Sequence, residues 1–561
     1  MVFNNEFVRQ LCETIKKYKK WLLLLLLLAY NVYMIFAIYL TWNKQIDCAN
    51  CTAGAYCYGV KLLVVLTSIA YLIGLYYTVL KRLVVRPVYR HIIRPIAKTR
   101  GTCLLVRHAS KIVWSVAIAG ALVFIVWDSL STEPLRLASG GGLLAYILIG
   151  YMFSKHRSHV QWRQLLWGIY MQFLFGLMIL RWEFGKQVFQ CMGDKVSAFL
   201  EFTDAGSSFV FGYLVTGHLD GNVTLADAGG TSITGSLPIQ AAVFAFKVMP
   251  VVIFFSFFVS ILFYYGIMQI LVVKIGWLLE STIGTTACES LNASGNIFLG
   301  MTEAPLMIKP YLPVMTKSEL HAVMTGGFAT IAGSVMAAYI NFGVSASHLL
   351  SASVMSAPAA LAYSKLIYPE TEKSKTTNKT ISVGQSTERN ALEAGSNGAG
   401  AAIKLIANIV ANLIAFLAFI QFLDVLISWF GSLVDYPELN FKLILSKIFI
   451  PFALLMGIEW HECDRVAKLI GLKTVINEFV AYQELSVMIK ANELSKRAQI
   501  VATYALCGFS NFGSIGIMLG ALGSMAPDRK PDLADLALRA MIAGSISCFM
   551  TACIAGLLIS S

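Results

Sequence analysis

"NIFLGMTEAPLMIKPY", residues Asn296–Tyr311, puts a carboxylate, Glu303, and a helix-breaking proline, Pro305, inside a very apolar chain. A charge at bilayer depth is costly, so it faces a protein interior or a wet cavity and usually has a function there. Whether Glu303 is such a charge depends on the surrounding chain. Of 561 residues, 57% are hydrophobic and 13% charged, and the mean hydropathy is +0.69, outside the range of soluble domains. The apolar runs mostly approach the roughly 20 residues that cross a bilayer, and they are too numerous for a single anchor. The fold class expected is therefore an all-α polytopic membrane protein.

The net charge of +13 does not point to nucleic acid, because the basic residues flank apolar runs. Lys16, Lys17, Lys19 and Lys20 precede the first run, 21–42, and "KRLVVRPVYRHIIRPIAKTR" (Lys81–Arg100) follows the second. By the positive-inside rule both are cytoplasmic, so the amino terminus is inside. The first run is too long for a cleaved signal peptide and lacks a small-residue cleavage site. Eleven spans are expected, near 21–42, 61–80, 112–128, 139–153, 164–181, 238–276, 318–341, 345–366, 401–430, 496–524 and 533–558. An odd count places the carboxyl terminus outside. The sixth run is too long for a perpendicular span and reads as tilted or extended. "VSAFLEFTDAGSSFVFGYL" (Val196–Leu214) reads as an interfacial amphipathic helix. The polar stretch 369–400 reads as a flexible inside linker. Asn50 and Asn222 are then outside glycosylation sequons, and Asn378 lies in the wrong compartment. Cys48, Cys51 and Cys57 share the first outside loop, where two of them are able to pair; the other cysteines read as packing residues.

Two segments fit no simple span: about 281–312, which contains the opening stretch, and about 441–487, which contains "INEFVAYQEL" (Ile476–Leu485). Gly, Pro, Asn and Glu interrupt each, as in a re-entrant hairpin whose irregular backbone is buried in protein or hydrated. Each precedes a Gly-rich interruption, "GGFATIAGSV" (Gly326–Val335) and "CGFSNFGSIG" (Cys507–Gly516). Interrupted segments at matching places in two halves mark a transporter's binding site. Glu303 and Glu478 accept hydrogen bonds, Asn511 donates and accepts, and Thr302, Ser334 and Ser514 add hydroxyls. With Phe328 or Phe509 as an apolar face, this set suits a neutral polyhydroxylated ligand with a flat heterocycle, and Asn, Thr and carbonyl oxygens suit a small cation. Competing bland readings are an interhelical packing role for the glutamate and close helix approach for the glycines. "HECD" (His461–Asp464) resembles a metal set, but adjacent residues converge poorly on one ion.

These stretches, with "SAPAALAYSKLIYPETE" (Ser356–Glu372), resemble the concentrative nucleoside transporters, sodium-coupled importers of nucleosides, over about 160–559. The resemblance implies a plasma-membrane homotrimer working as an elevator, with an inverted-repeat transport domain of two hairpins and two broken helices. Its division would be a cytoplasmic terminus (1–20), three amino-terminal spans (21–137), scaffold helices (138–280), repeat one (281–366), a linker (367–400), a scaffold helix (401–440), repeat two (441–524) and a last helix (525–561). It implies Met301, Thr302, Glu303 and Val335 on the nucleobase, Glu478, Asn511 and Ser514 on the ribose, and Phe509 packing on the ligand. Sodium would be held by Asn296, Thr330 and the carbonyls of Leu299 and Ile331. Gly300, Met301, Ser334 and Val335 would set selectivity. Met301, where many members have Gln, and Val335 match the purine-preferring pattern, whereas Ser334 matches the pyrimidine one. The substrates expected are adenosine, guanosine and inosine, with uridine tolerated. The rival readings are a proton-coupled carrier on the same fold, a membrane-embedded enzyme and a passive channel.

Overall fold

The computed structural model describes residues 21, 24–41, 59–76, 120, 135–216, 218–219, 225–226, 232–233, 237–238, 243–376, 388–436 and 438–559. The loop cysteines Cys48, Cys51 and Cys57, the three sequons and nearly all of the third expected span lie outside them. The chain forms two compact units, Met1–Ala117 and Ile118–Ser561.

In the first unit, α1 (Leu24–Thr41) and α2 (Gly59–Leu75) are joined by polar side chains. The hydroxyls of Tyr30 and Thr67 lie 2.5 Å apart, and Tyr71 donates to Asn31 Oδ1 at 2.8 Å. Such bonds join helices where lipid offers no hydrophobic drive between them.

The second unit opens with α3 (Leu135–Met152), α4 (Trp162–Gly176) and the amphipathic α5 (Glu183–Glu201). Two antiparallel pairs of two-residue strands follow, His218–Leu219 with Leu237–Pro238 and Leu225–Ala226 with Ser232–Ile233. The sixth run is not one helix. It yields α6 (Pro250–Tyr264) and α7 (Ile267–Ile283), separated at Gly266, whose φ of +77° is one a non-glycine residue rarely adopts.

Two similar halves come next. The first runs through α8 (Ala287–Gly295), a tip, a 3-10 segment (Ala304–Val314), α9 (Lys317–Ala329), a break, α10 (Gly333–Asn341) and α11 (Ala346–Ile367). Pro305, Pro310 and Pro313 remove three amide donors, which accounts for 3-10 rather than α geometry in the descending arm. α12 (Ala391–Ser432) then leads to the second half. That half comprises α13 (Phe441–Leu455), α14 (Trp460–Val475), α15 (Glu478–Lys490), α16 (Lys496–Leu506), a break, α17 (Phe512–Met525) and α18 (Lys530–Leu558). The first hairpin arm of each half follows a left-handed glycine, Gly284 and Gly457, both at φ +80°. Glu289 and Glu462 sit in the first turns of those arms, and Thr316 and Ser495 cap the helices before the breaks.

Two boundaries differ from expectation. The second hairpin is α14 with α15, its tip at Ile476–Asn477; α13 is a separate helix bent 117° from α14. Residues 391–400, expected in a flexible linker, are helical. Asn390 caps α12 by accepting from the Glu393 amide, and Glu393 accepts from the Arg389 amide. The small residues there let α6 approach: a Cβ on Gly395 would lie 2.6 Å from the Phe257 ring, and one on Gly398 2.2 Å from Ser260 Oγ. Composition alone reads such a stripe as linker, although it is a helix-packing surface. The core lies around α9, α11 and α18, with the short α8 buried at every residue. Cys288, Cys463, Cys507, Cys548 and Cys553 are buried free thiols, whereas Cys191, expected as packing, is disulfide-bonded.

Candidate functional site

Both hairpin tips and both breaks meet at one cleft, part of it open to solvent. Gly300, Met301, Thr302 and Glu303 line it from the first tip, and Ile476, Asn477, Glu478 and Phe479 from the second. Ala332 and Val335 come from the first break; Phe509, Asn511, Gly513, Ser514 and Ile517 come from the second, and Leu405 and Ile409 of α12 complete the wall.

Each polar group is positioned locally. The Gly300 amide donates to Glu303 Oε2 at 3.2 Å, so the tip backbone holds the carboxylate that its own turn brings back. Asn477 caps α15 through the Val480 amide at 3.1 Å, which places Glu478 at the first helical position. Its carboxylate then accepts from the Tyr339 hydroxyl at 3.2 Å and from Asn511 Nδ2 at 2.9 Å. Asn511 in turn caps α17, its Oδ1 accepting from the Ser514 amide at 2.8 Å. One amide side chain thus ends a helix and orients a carboxylate.

The two breaks are tied together. The Phe509 amide donates to Thr330 O at 3.2 Å, and the Gly333 amide to Phe298 O at 3.1 Å, which joins the first tip to the first break. Behind that tip, Asn296 is fully buried, and neither atom of its side-chain amide has a protein partner. Thr330 Oγ1 donates to Gly326 O at 2.8 Å, leaving its lone pairs available. A buried amide without partners costs free energy unless something binds it, and a small oxygen-seeking cation fits that donor set.

The structure therefore brings together Gly300, Met301, Thr302, Glu303, Val335, Glu478, Phe509, Asn511 and Ser514. Ser334 is buried and does not line the cleft. Phe328, the alternative apolar face, is wholly buried, and a Cβ on Gly544 would lie 2.5 Å from its own. Sequence reasoning did not name Ala332, Leu405, Ile409, Ile476, Asn477, Phe479, Gly513 and Ile517, which line the cleft, nor Tyr339, which donates to Glu478. Tyr339 follows Val335 by one helical turn, so helical spacing from a lining residue finds the hydroxyl that donates to Glu478. The "HECD" residues diverge. His461 pairs with Glu459 at 3.4 Å, Glu462 accepts from the Ser495 amide and hydroxyl, Cys463 points to Ile458 O and Asp464 pairs with Lys447 at 2.8 Å.

Three family profiles match the chain: Na+ dependent nucleoside transporter N-terminus over residues 141–214, Nucleoside recognition over 245–346, and Na+ dependent nucleoside transporter C-terminus over 348–556. Solute carrier family 28 member 3 of Mus musculus is 50% identical over 475 residues, covering 82% of this chain and 64% of that protein. Sodium/nucleoside cotransporter 2 of Rattus norvegicus is 42% identical over 555 residues, covering 96% of this chain and 77% of the relative. Among solved structures, CNTnw in an inward-facing substrate-bound state superposes with a TM-score of 0.68 at 36% identity, over 76% of this chain and 98% of that one. The chain belongs to the sodium-dependent nucleoside transporter family. It spans just under two thirds of the solute carrier family 28 member 3 proteins it matches. Its relatives are cotransporters, not enzymes.

Proposed function

We propose that this protein is a sodium-coupled importer of nucleosides that prefers purines and tolerates uridine. The observation that carries the reading is the cleft itself. Two hairpin tips and two helix breaks, far apart in sequence, converge there with a hydrogen-bonding set suited to a sugar on one wall and a heterocycle on the other. In this reading Met301, Thr302, Glu303 and Val335 address the nucleobase; Glu478, Asn511 and Ser514 take the ribose hydroxyls, and Phe509 packs on the ligand. Sodium, moved as co-substrate, is held by Asn296, Thr330 and the carbonyls of Leu299 and Ile331. The unpartnered amide of Asn296 supports that placement.

Met301 presents a soft thioether where an amide would read a pyrimidine edge, which favours a larger ring. Alternation of the loaded domain between the two membrane faces, as an elevator within a homotrimer, accords with CNTnw, solved in an inward-facing state and, as substituted variants, in intermediate and outward-facing ones. An orientation with the linker inside gains support from Lys155. Its amide donates to Ile367 O at 3.0 Å and its ammonium to the Tyr368 hydroxyl at 2.9 Å, so the basic loop after α3 and the linker share one end of the bundle. The test is uptake of radiolabelled adenosine and uridine into cells expressing the chain, in sodium and then in choline at fixed pH. Sodium-dependent accumulation of both, adenosine above uridine, is expected. Uptake unchanged in choline refutes the coupling, and uptake driven by acid in its place moves the reading to a proton-coupled carrier.

A further inference from the structure

Lys473 is a cation that the cleft does not use. It stands near the end of α14, 1% exposed, and its ammonium donates to Ala505 O at 2.9 Å, just before the second break. The Cys548 sulfur lies 3.2 Å from Cys507 O and 3.5 Å from Ala329 O, the carbonyls of the two breaks. Five residues on from Lys473, across the tip at Ile476–Asn477, Glu478 opens α15.

The repeat gives this position a counterpart. The cap before each break helix and the cap after each break, Thr316 with Ala332 and Ser495 with Asn511, are spaced alike. Counted from those caps, Ala505 corresponds to Gly326. Gly326 is the residue that faces Asn296: a Cβ there would lie 3.1 Å from the Asn296 amide nitrogen. So the break-helix position that faces an unpartnered neutral amide in one half accepts an ammonium in the other, Lys473 standing two residues before the position that the same count gives for Asn296.

We propose that Lys473 is the second repeat's tethered cation, filling the hairpin-to-break junction that sodium fills in the first and holding the Glu478 tip in place without an ion. This rests on the sodium reading given above. In consequence the ribose side of the cleft is organised permanently, and only the nucleobase side waits for sodium. A buried ammonium is tolerated at this depth because the Ala505 carbonyl oxygen accepts from it. Lys473 is thus a positioning residue: it acts through Glu478 and does not touch the ligand.

The experiment compares the unaltered chain with Lys473→Met, close in length and uncharged, and Lys473→Arg, which keeps the charge. Uptake of uridine and of 2′,3′-dideoxyuridine is measured at matched surface density. If the unaltered chain shows no sodium-dependent uptake, the importer reading fails and the lysine is not at issue. If it does, K473M should lower uridine uptake roughly tenfold, the cost of one charge-assisted hydrogen bond, and bring the uridine to dideoxyuridine ratio toward one, while K473R keeps that ratio. A K473M protein with unchanged uptake overturns the proposal. So does one in which both substrates fall alike, because a merely structural lysine would do that. If K473M does not reach the surface, K473R decides: a retained ratio supports the tethered charge, and loss of the ratio at normal surface density overturns it.

Discussion

Asn511 carries two bonds with separable consequences, so its removal tests how the site is built. Its Nδ2 donates to Glu478 at 2.9 Å and its Oδ1 caps α17 through the Ser514 amide at 2.8 Å. Losing the cap costs about 1 kcal/mol of stability. Losing the bond to a buried carboxylate costs about 2 kcal/mol in how that carboxylate is held, which is roughly 30-fold in uptake at limiting nucleoside. Asn511→Ala removes both bonds. Asn511→Ser restores the cap, since serine caps nearly as well, but is too short to reach Glu478. Both variants should therefore lose uptake alike, whereas only N511A should melt earlier as the solubilised protein, by no more than about 2 °C in a chain of this size. The assays are initial uptake normalised to surface density and thermal melting in detergent. If N511S keeps uptake within about threefold of the unaltered chain, Asn511 does not orient Glu478 and the ribose wall is assembled some other way. Equal melting of the two variants refutes the cap.

Glu303→Gln keeps size and still offers an oxygen to the Gly300 amide; it should abolish most transport while surface assembly stays intact, as cell-surface labelling beside uptake will show. Met301→Gln should lower the adenosine to uridine uptake ratio by about tenfold, the discrimination one amide provides at a polar edge; an unchanged ratio would place selectivity elsewhere. Gly398→Ala drives a Cβ to 2.2 Å from Ser260 Oγ and 2.6 Å from Ser256 O, so it should cost about 1–3 kcal/mol and show as earlier melting. Gly400→Ala, with nothing within 4 Å of its added Cβ, should stabilise α12 by up to about 1 kcal/mol and serves as control.

The membrane class, both hairpins and both breaks were legible because each leaves a local mark: long apolar runs, and Gly, Asn and Pro where the backbone must leave the helix. Helix ends set by tertiary contact were not. Residues 391–400 look like linker because Gly, Ala, Ser and Asn dominate, yet that composition lets α12 lie close against α6. The sixth run is continuous in hydropathy, and only the backbone angle at Gly266 divides it. The second hairpin was drawn too wide because α13 is as apolar as a hairpin arm, and its 117° bend against α14 leaves no trace in hydropathy. About half of the cleft residues are named through motifs; Tyr339, which holds Glu478, is not, since a buried tyrosine on an apolar helix face looks like packing until its hydroxyl is seen on Glu478.

Thr330 is where the proposed ion and the proposed base become one problem. Its carbonyl accepts the Phe509 amide, so it holds the second break, and its hydroxyl donates to Gly326 O beside the unpartnered Asn296. The Gly333 amide, two residues past Ile331, ties the first break to Phe298 on the first tip, next to Leu299 and Gly300. An ion shared by Asn296, Leu299, Thr330 and Ile331 would therefore stiffen the loop that presents Met301 to Glu303, and the base would stiffen the loop that holds the ion. Binding free energies coupled in this way are reciprocal. Thr330→Val keeps the shape and every backbone bond but removes the hydroxyl. It should raise the sodium concentration for half-maximal uptake by about tenfold, the weight of one oxygen ligand or hydrogen bond. By reciprocity, the apparent nucleoside KM should rise at low sodium and return toward that of the unaltered chain as sodium saturates. The measurement is a grid of initial uptake rates against both concentrations. A KM that stays raised at saturating sodium would mean that the hydroxyl serves the nucleoside directly or only supports the fold. A sodium curve that does not move would remove Thr330 from the ion site.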